Sequence, residues 1–424
     1  MGEGKLQAEN RYQIWVDGDW PVGTKGVWIT PKDDGRYHLK HEDISLPAAV
    51  IYEKALDNNA GWMQRFATVY NVELCPHGKT SMTPALFQKQ LEEGAWGITI
   101  ATPPQADVAA QAGAENIIMA NQLVGRANMA AVSHLMSRLP VNFYCSVDNH
   151  LNVKQLSDFF APLGQKVNVL IELGIDGGRC GVRDLSDAQA LAAYIRGLPG
   201  IALAGVEVYE GVIHGEDAEQ QVKAFIHQSA EFCRLLKDID LIESQHPVLT
   251  GAGSAWYDVV SDIFQQYDDL LTIIRPGCYL THDTGIYQTA QKKVMLRAQD
   301  GKKVATNLGG DLKNALEVWA YVVSLPEAGK AVVGLGKRDA AYDAGLPVVE
   351  RGFRDGEPIN IKGLEATAIM DQHLFVNVPD DVTLYVGDIL AFSTSHPCLT
   401  FDKWRYIALA DEEFIVEKWM PTQF

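Results

Sequence analysis

The chain has 424 residues, 47% of them hydrophobic and 21% charged, with a formal net charge of −18. That length exceeds one ordinary domain and leaves room for a barrel of about 250 residues with a large core. The acidity argues against nucleic acid or an anionic membrane as partner. Six cysteines, Cys75, Cys145, Cys180, Cys233, Cys278 and Cys398, are scattered without a C-x-x-C pair, the usage of a reduced compartment. Met1 to Asn10 is polar, with no apolar signal core, and no run of about 18 apolar residues occurs anywhere. The expectation is a cytoplasmic protein.

Residues 1–45 read as an N-terminal extension. Within it, 11–40 are rich in Trp, Gly and Asp without a helical period, and are expected to be irregular or short-stranded and to pack on a second domain. From Leu46 to about Thr68 apolar positions recur at three and four, predicting a helix. An alternation then begins. Apolar runs of strand length fall at about 71–75, 97–101, 116–120, 141–146, 167–173, 203–209, 247–251 and 271–274. Helical patterns fill about 83–94, 103–113, 125–138, 149–161, 185–197, 216–239 and 255–266. Eight β segments joined by helices predict an α/β fold, a (β/α)8 TIM-type barrel over 46–288. An open doubly wound sheet more often stops at five to seven strands. No helical pattern follows the eighth segment, so the early helix is expected to fill that gap. Beyond about Thr289, runs such as Leu316–Val323, Ala331–Gly334, Val382–Val386 and Ile389–Phe392 predict an antiparallel β domain over 289–424.

In such barrels catalytic groups lie on the loops after the carboxyl ends of strands, and phosphate sites often follow strands seven and eight. After strand one, Pro76 and Gly78 break the chain, and Lys79 sits before a helix starting near Pro84. A lysine there is either a solvated loop residue or an amine held in an active-site mouth, available for a Schiff base. After strand five comes Gly177-Gly178-Arg179-Cys180-Gly181, and at the end of strand six stand Tyr209, Glu210 and Gly211. After strand seven, Thr250-Gly251-Ala252-Gly253-Ser254 can expose consecutive backbone N–H groups at a helix start, an anion site. After strand eight comes Arg275-Pro276-Gly277-Cys278-Tyr279. A lysine and a phosphate cradle in one barrel are what a pyridoxal phosphate enzyme needs. Further on, Ser395-His396-Pro397-Cys398 is either a surface turn or two ligands of a metal site, fewer than the usual count. Cys75, Cys145 and Cys278 read as small packing residues. His77 reads as a loop histidine that orients backbone or transfers protons.

Pro76-His77-Gly78-Lys79-Thr80, Gly178-Arg179-Cys180-Gly181-Val182, Tyr209-Glu210-Gly211 and Gly251-Ala252-Gly253-Ser254 resemble the markers of the D-threonine aldolase and D-serine dehydratase family. That family lies in the alanine-racemase-like, fold-type III group of pyridoxal phosphate enzymes, and the likeness spans about 45–410. The resemblance implies that Lys79 carries the cofactor and that the loop Thr250, Gly251, Gly253 and Ser254 binds its phosphate. It implies that Arg179, Tyr209 and Tyr279 contact the ring. It further implies a divalent metal beside the cofactor, held by His396 and Cys398. A His-x-Cys pair resembles the dehydratase branch and His-x-Asp the aldolase branch, and thiolate favours zinc. One departure bears on the substrate pocket, since many members follow Lys-Thr with His-Lys where this chain has Ser81-Met82.

The implied activity is a pyridoxal phosphate- and zinc-dependent D-amino-acid dehydratase. It would turn a D-3-hydroxy amino acid, such as D-serine or D-threonine, into a 2-oxo acid and ammonia. The alternatives are retro-aldol cleavage to glycine and an aldehyde, racemisation, and a non-catalytic cofactor carrier. A homodimer is implied, with the β domain of one subunit over the other's active-site mouth.

Overall fold

A computed structural model describes residue 25, residues 34–301 and residues 307–424, so most of the N-terminal extension lies outside the described residues. Its described end forms a short strand, Tyr37–His38, paired antiparallel with Ile415–Pro421.

Eight parallel strands form one sheet. They are Glu73–Leu74 (β1), Ile98–Ile100 (β2), Asn116–Gln122 (β3), Asn142–Val147 (β4), Val167–Leu173 (β5), Ile201–Val208 (β6), Val248–Gly251 (β7) and Leu271–Ile274 (β8). Each pairs with the next, β8 returns to β1, and a parallel bridge between His77 and Thr99 joins β1 to β2 and closes the ring. Both faces of such strands are covered, which is why they read as near-continuous apolar runs. Six of the seven residues of β5 are buried. The connecting helices begin with recognisable starts. Proline opens Pro84–Glu92 and Pro103–Gln111. Asn149 caps His150–Phe160 by accepting from the Asn152 amide, and Asp184 caps Leu185–Arg196 by accepting from Ser186 and Asp187.

The early helix is shorter than its apolar pattern suggests. Ala48–Tyr52 is a strand, and the helix runs Glu53–Val69. All five strand residues are buried, because the strand lies between Tyr406–Ala410, parallel, and Leu316–Glu327, antiparallel. A five-residue apolar run cannot be told from a buried helical turn by period alone. The helix does take its expected place beside the end of the barrel, with Phe66 edge-on to Tyr257 at 4.9 Å between centroids. A further helix, Ile286–Gly301, follows β8 where none was expected. It packs on Tyr257–Phe264 through the Arg297–Asp258 ion pair at 2.8 Å and a Tyr257 hydroxyl bond to Gln291 at 2.6 Å.

Leu316–Glu327 is the spine of the second domain, an antiparallel sheet in which it pairs with Ala48–Tyr52, Lys330–Val333 and Ile389–Ser393. The expected strand Val382–Val386 is absent. Gly387 takes a φ of 98° and the Tyr385 amide donates to Asp388 Oδ2 at 2.7 Å, so the segment turns and leaves Tyr385 and Val386 exposed. No helix among the described residues is long and apolar enough to cross a membrane.

Candidate active site

Lys79 stands on a short 3-10 turn, Gly78–Thr80, directly after β1. A Cβ on Gly78 would meet the Phe87 ring at 2.7 Å and Ile98 at 2.9 Å, so only glycine lets the turn press onto its neighbours. The lysine thus opens into a cavity of about 230 Å³ at the carboxyl end of the barrel. It makes no ion pair among the described residues. Desolvation lowers its pKa, and the Arg179 guanidinium adds to this, against the opposing charge of Cys398. His77 lines the same cavity, and its buried Nδ1 has no hydrogen-bond partner among the described residues. Burial and then the Lys79 charge push its pKa well down, so the ring is neutral.

Arg179, Tyr209 and Gly253 line the cavity too. The Arg179 guanidinium lies 4.2 Å over the Tyr209 ring. Arg183, a residue without any signal in its own motif, holds the Arg179 loop by donating to the carbonyls of Cys180 and Gly181 at 2.6 Å and of Arg179 at 3.1 Å.

The glycine-rich turn after β7 binds an oxyanion, and that oxyanion is internal. The amides of Ala252 and Gly253 donate at 3.0 Å to the two carboxylate oxygens of Glu210, a fully buried side chain. Ala252 holds a φ of 62°, which aims successive N–H groups the same way. Thr250, Gly251 and Ser254 do not line the cavity. Thr250 donates to the Ile273 carbonyl at 3.0 Å, and Gly251 packs against Val208 and Phe264. Ser254 accepts from the Gly277 and Cys278 amides at 3.3 Å. Tyr279 is likewise away from the cavity, buried, with its hydroxyl accepting from Gln90 at 3.1 Å.

Acidic strand residues supply what the loop motifs did not. Glu172 on β5 lines the cavity and accepts from Gln122 Nε2 at 2.6 Å. Burial and then the charge of Glu207 raise its pKa to about 7. Glu207 on β6 forms a buried ion pair with Arg275, whose other nitrogen donates to the Val208 carbonyl at 2.9 Å. A glutamate inside an apolar strand run, as in Ile171-Glu172-Leu173 and Val206-Glu207-Val208, was the signal in the sequence.

His396 and Cys398 come from the connection after Ile389–Ser393, and they meet the barrel at the lysine turn. Cys398 Sγ lies 3.4 Å from Thr80 Oγ1 and 3.5 Å from Cys278 Sγ. His396 Nδ1 is 2.7 Å from Asp343 Oδ2, which leaves Nε2 as its free ligand atom. A hydrogen bond from Cys278, then one from His396, holds the Cys398 thiol well below its usual pKa, whereas Cys278 is pushed up.

A closed parallel barrel with a lysine after its first strand, joined to an antiparallel sheet, defines the alanine-racemase-like class. Residues 51–284 match the model of the alanine racemase N-terminal domain, and residues 315–410 match that of a putative serine dehydratase domain. The chain belongs to the D-threonine aldolase/D-serine dehydratase-like family, whose barrel is the alanine racemase N-terminal domain. It is 28% identical to D-threonine aldolase of Arthrobacter sp. over 89% of this chain and 92% of that one. It is also 28% identical to D-threo-3-hydroxyaspartate dehydratase of Delftia sp. (strain HT23), over 45% of this chain and 50% of that one. A structure of that dehydratase, a cysteine-to-alanine mutant in the metal-free form, superposes with a TM-score of 0.69 at 20% identity, over 90% and 98% of the chains. The crystal structure of D-threonine aldolase from Filomicrobium marinum gives 0.73 at 24% identity, over 90% and 95%.

Proposed function

We propose that this chain is a pyridoxal phosphate- and zinc-dependent dehydratase of D-3-hydroxy amino acids, releasing ammonia and leaving a 2-oxo acid. The observation that carries the choice is the Cys398 sulfur beside His396, in contact with the turn that bears Lys79. The Delftia dehydratase, whose cysteine mutant is described as metal-free, supports the same reading.

The residues fit both groups. An unpaired primary amine faces a cavity with an orphaned imidazole nitrogen and a guanidinium on its wall, which suits an aldehyde bearing a ring and a phosphate. Sulfur and imidazole suit zinc better than manganese or magnesium. When bound, pyridoxal phosphate supplies an electron sink for the α-carbon, and zinc a Lewis acid for the β-hydroxyl.

Lys79 Nζ would hold the cofactor and, once released, would take the α-proton; burial, the main cause of its lowered pKa, favours the neutral amine that both roles need. Arg179 and Tyr209, stacked on one another in the cavity wall, would hold the ring. His396 and Cys398 would hold the metal, with Asp343 orienting the imidazole. The proton that Lys79 takes from the α-carbon would leave with the β-hydroxyl as water, and the dehydrated product would take up water and release ammonia.

D-Serine, D-threonine and D-threo-3-hydroxyaspartate should each be assayed for 2-oxo acid with ammonia against glycine with aldehyde. Oxo acid is expected. Aldehyde would install the second reading, retro-aldol cleavage, which the Arthrobacter aldolase favours by matching over most of this chain.

A further inference from the structure

We infer that Cys278 is a third protein ligand to the metal, so that the centre is a two-cysteine, one-histidine site with one position left open. The inference rests on reading His396 and Cys398 as ligands. The ligand atoms of Cys278, His396 and Cys398 all lie within 4.8 Å of one another. The two sulfurs are 3.5 Å apart. Two sulfurs bound to one tetrahedral zinc stand about 3.8 Å apart, given Zn–S bonds of about 2.3 Å. A disulfide would need about 2.05 Å.

The backbone around Cys278 is built to hold it there. Gly277 has no Cβ, and one at that place would meet Thr80 Oγ1 at 2.6 Å and the His77 carbonyl at 2.9 Å. The loop after β8 can therefore lie directly on the lysine turn. Ser254 Oγ accepts from both the Gly277 and Cys278 amides, and the Cys278 carbonyl accepts from the His282 amide at 2.8 Å. A cysteine serving only as packing sits among apolar side chains. This one is 3% exposed and faces a second thiol and a hydroxyl, with an imidazole close by.

Three protein ligands with a fourth position free is the arrangement of catalytic zinc, whereas two ligands alone hold a metal loosely. Two thiolates also favour zinc over oxygen-seeking manganese and magnesium. The ligands come from both domains, Cys278 from the barrel and the other two from the β domain. Metal would therefore fasten one to the other.

The test uses the full chain, stripped with a chelator and reloaded with zinc alone or cobalt alone. X-ray absorption of the zinc-loaded wild type should show two sulfur neighbours at about 2.3 Å. In the cobalt-loaded protein, Cys278→Ser should remove about half of the sulfur-to-cobalt charge-transfer absorption. Loss of an outer-shell partner typically weakens metal binding 10–100-fold, so losing this ligand should weaken zinc about 100-fold or more. One sulfur neighbour in the wild type overturns the inference and leaves the His396–Cys398 reading standing. So does an unchanged cobalt spectrum with unchanged zinc affinity in Cys278→Ser. A wild type that takes up neither ion overturns both. The absorption measurement needs no variant, so a poorly folding Cys278→Ser does not remove the test.

Discussion

Arg179 lies over the ring of Tyr209, its guanidinium carbon 4.2 Å from the ring centroid, so loops after β5 and β6 form one wall of the cavity. Such a stack is worth about 1–2 kcal/mol when partly desolvated. Arg179→Lys keeps the charge and loses the planar face. It should raise the dissociation constant for pyridoxal phosphate roughly 5- to 30-fold, read by titrating cofactor absorbance. An unchanged constant would remove this pair from the binding site.

Lys79 should be the point of covalent attachment. Borohydride treatment of protein loaded with pyridoxal phosphate should leave one pyridoxyl-modified peptide, the one containing Lys79. Lys79→Ala and Lys79→Arg should both give none, because guanidinium stays protonated and is no amine nucleophile. A modified peptide elsewhere in the chain would sink the assignment.

The Arg275–Glu207 pair should matter more to stability than any surface pair. Both side chains are nearly inaccessible, at 6% and 2% exposure. Glu207→Ala leaves a guanidinium buried without its partner, an error that costs about 3–5 kcal/mol. Chemical denaturation should show a loss of that size. A loss below about 1 kcal/mol, the range of exposed pairs, would mean that Arg275 finds another anion.

Glu172 should make the cofactor-free protein less stable as pH rises. Its folded pKa, raised to about 7, stands above the unfolded value near 4.5, so the folded state binds more protons between the two. The favourable contribution is complete below about pH 4.5 and is lost as pH rises through 7. Glu172→Gln removes this slope. Melting curves at pH 5 and pH 8 should show the wild type losing more stability across the interval than the variant, and equal losses would refute the shift.

Most of the barrel could be read from the sequence because its strands are short apolar runs separated by caps and turns that act locally. All eight lie within a few residues of their expected positions. What local patterns could not carry was pairing across long stretches of chain. Ala48–Tyr52 has the composition of a helical turn or of a strand, and only its distant partners decide. The site divides the same way. Lys79, Arg179, Tyr209 and Gly253 were legible because motifs on loops bring them to one cavity. Tyr279, expected at the ring, is turned into the wall towards Gln90. Glu210, noted only as part of a motif, holds the amides expected for phosphate. Cys278, expected as packing, faces the second thiol of a loop 120 residues away. Which face of its loop a side chain occupies is set by neighbours that a one-dimensional reading does not bring together.

The strand Ala48–Tyr52 also sets a timetable for biosynthesis. Ile51 pairs with Leu316 and with Leu409, the second of them about 360 residues later in the chain. At the usual pace of translation that is a delay of roughly 20–70 s, with an entirely apolar ribbon waiting ahead of a barrel that can already close. An unpaired ribbon of this kind invites pairing with other nascent chains. A truncated chain meant to isolate the barrel should therefore begin at Glu53, because one that begins at Leu46 would keep the ribbon and discard everything that covers it.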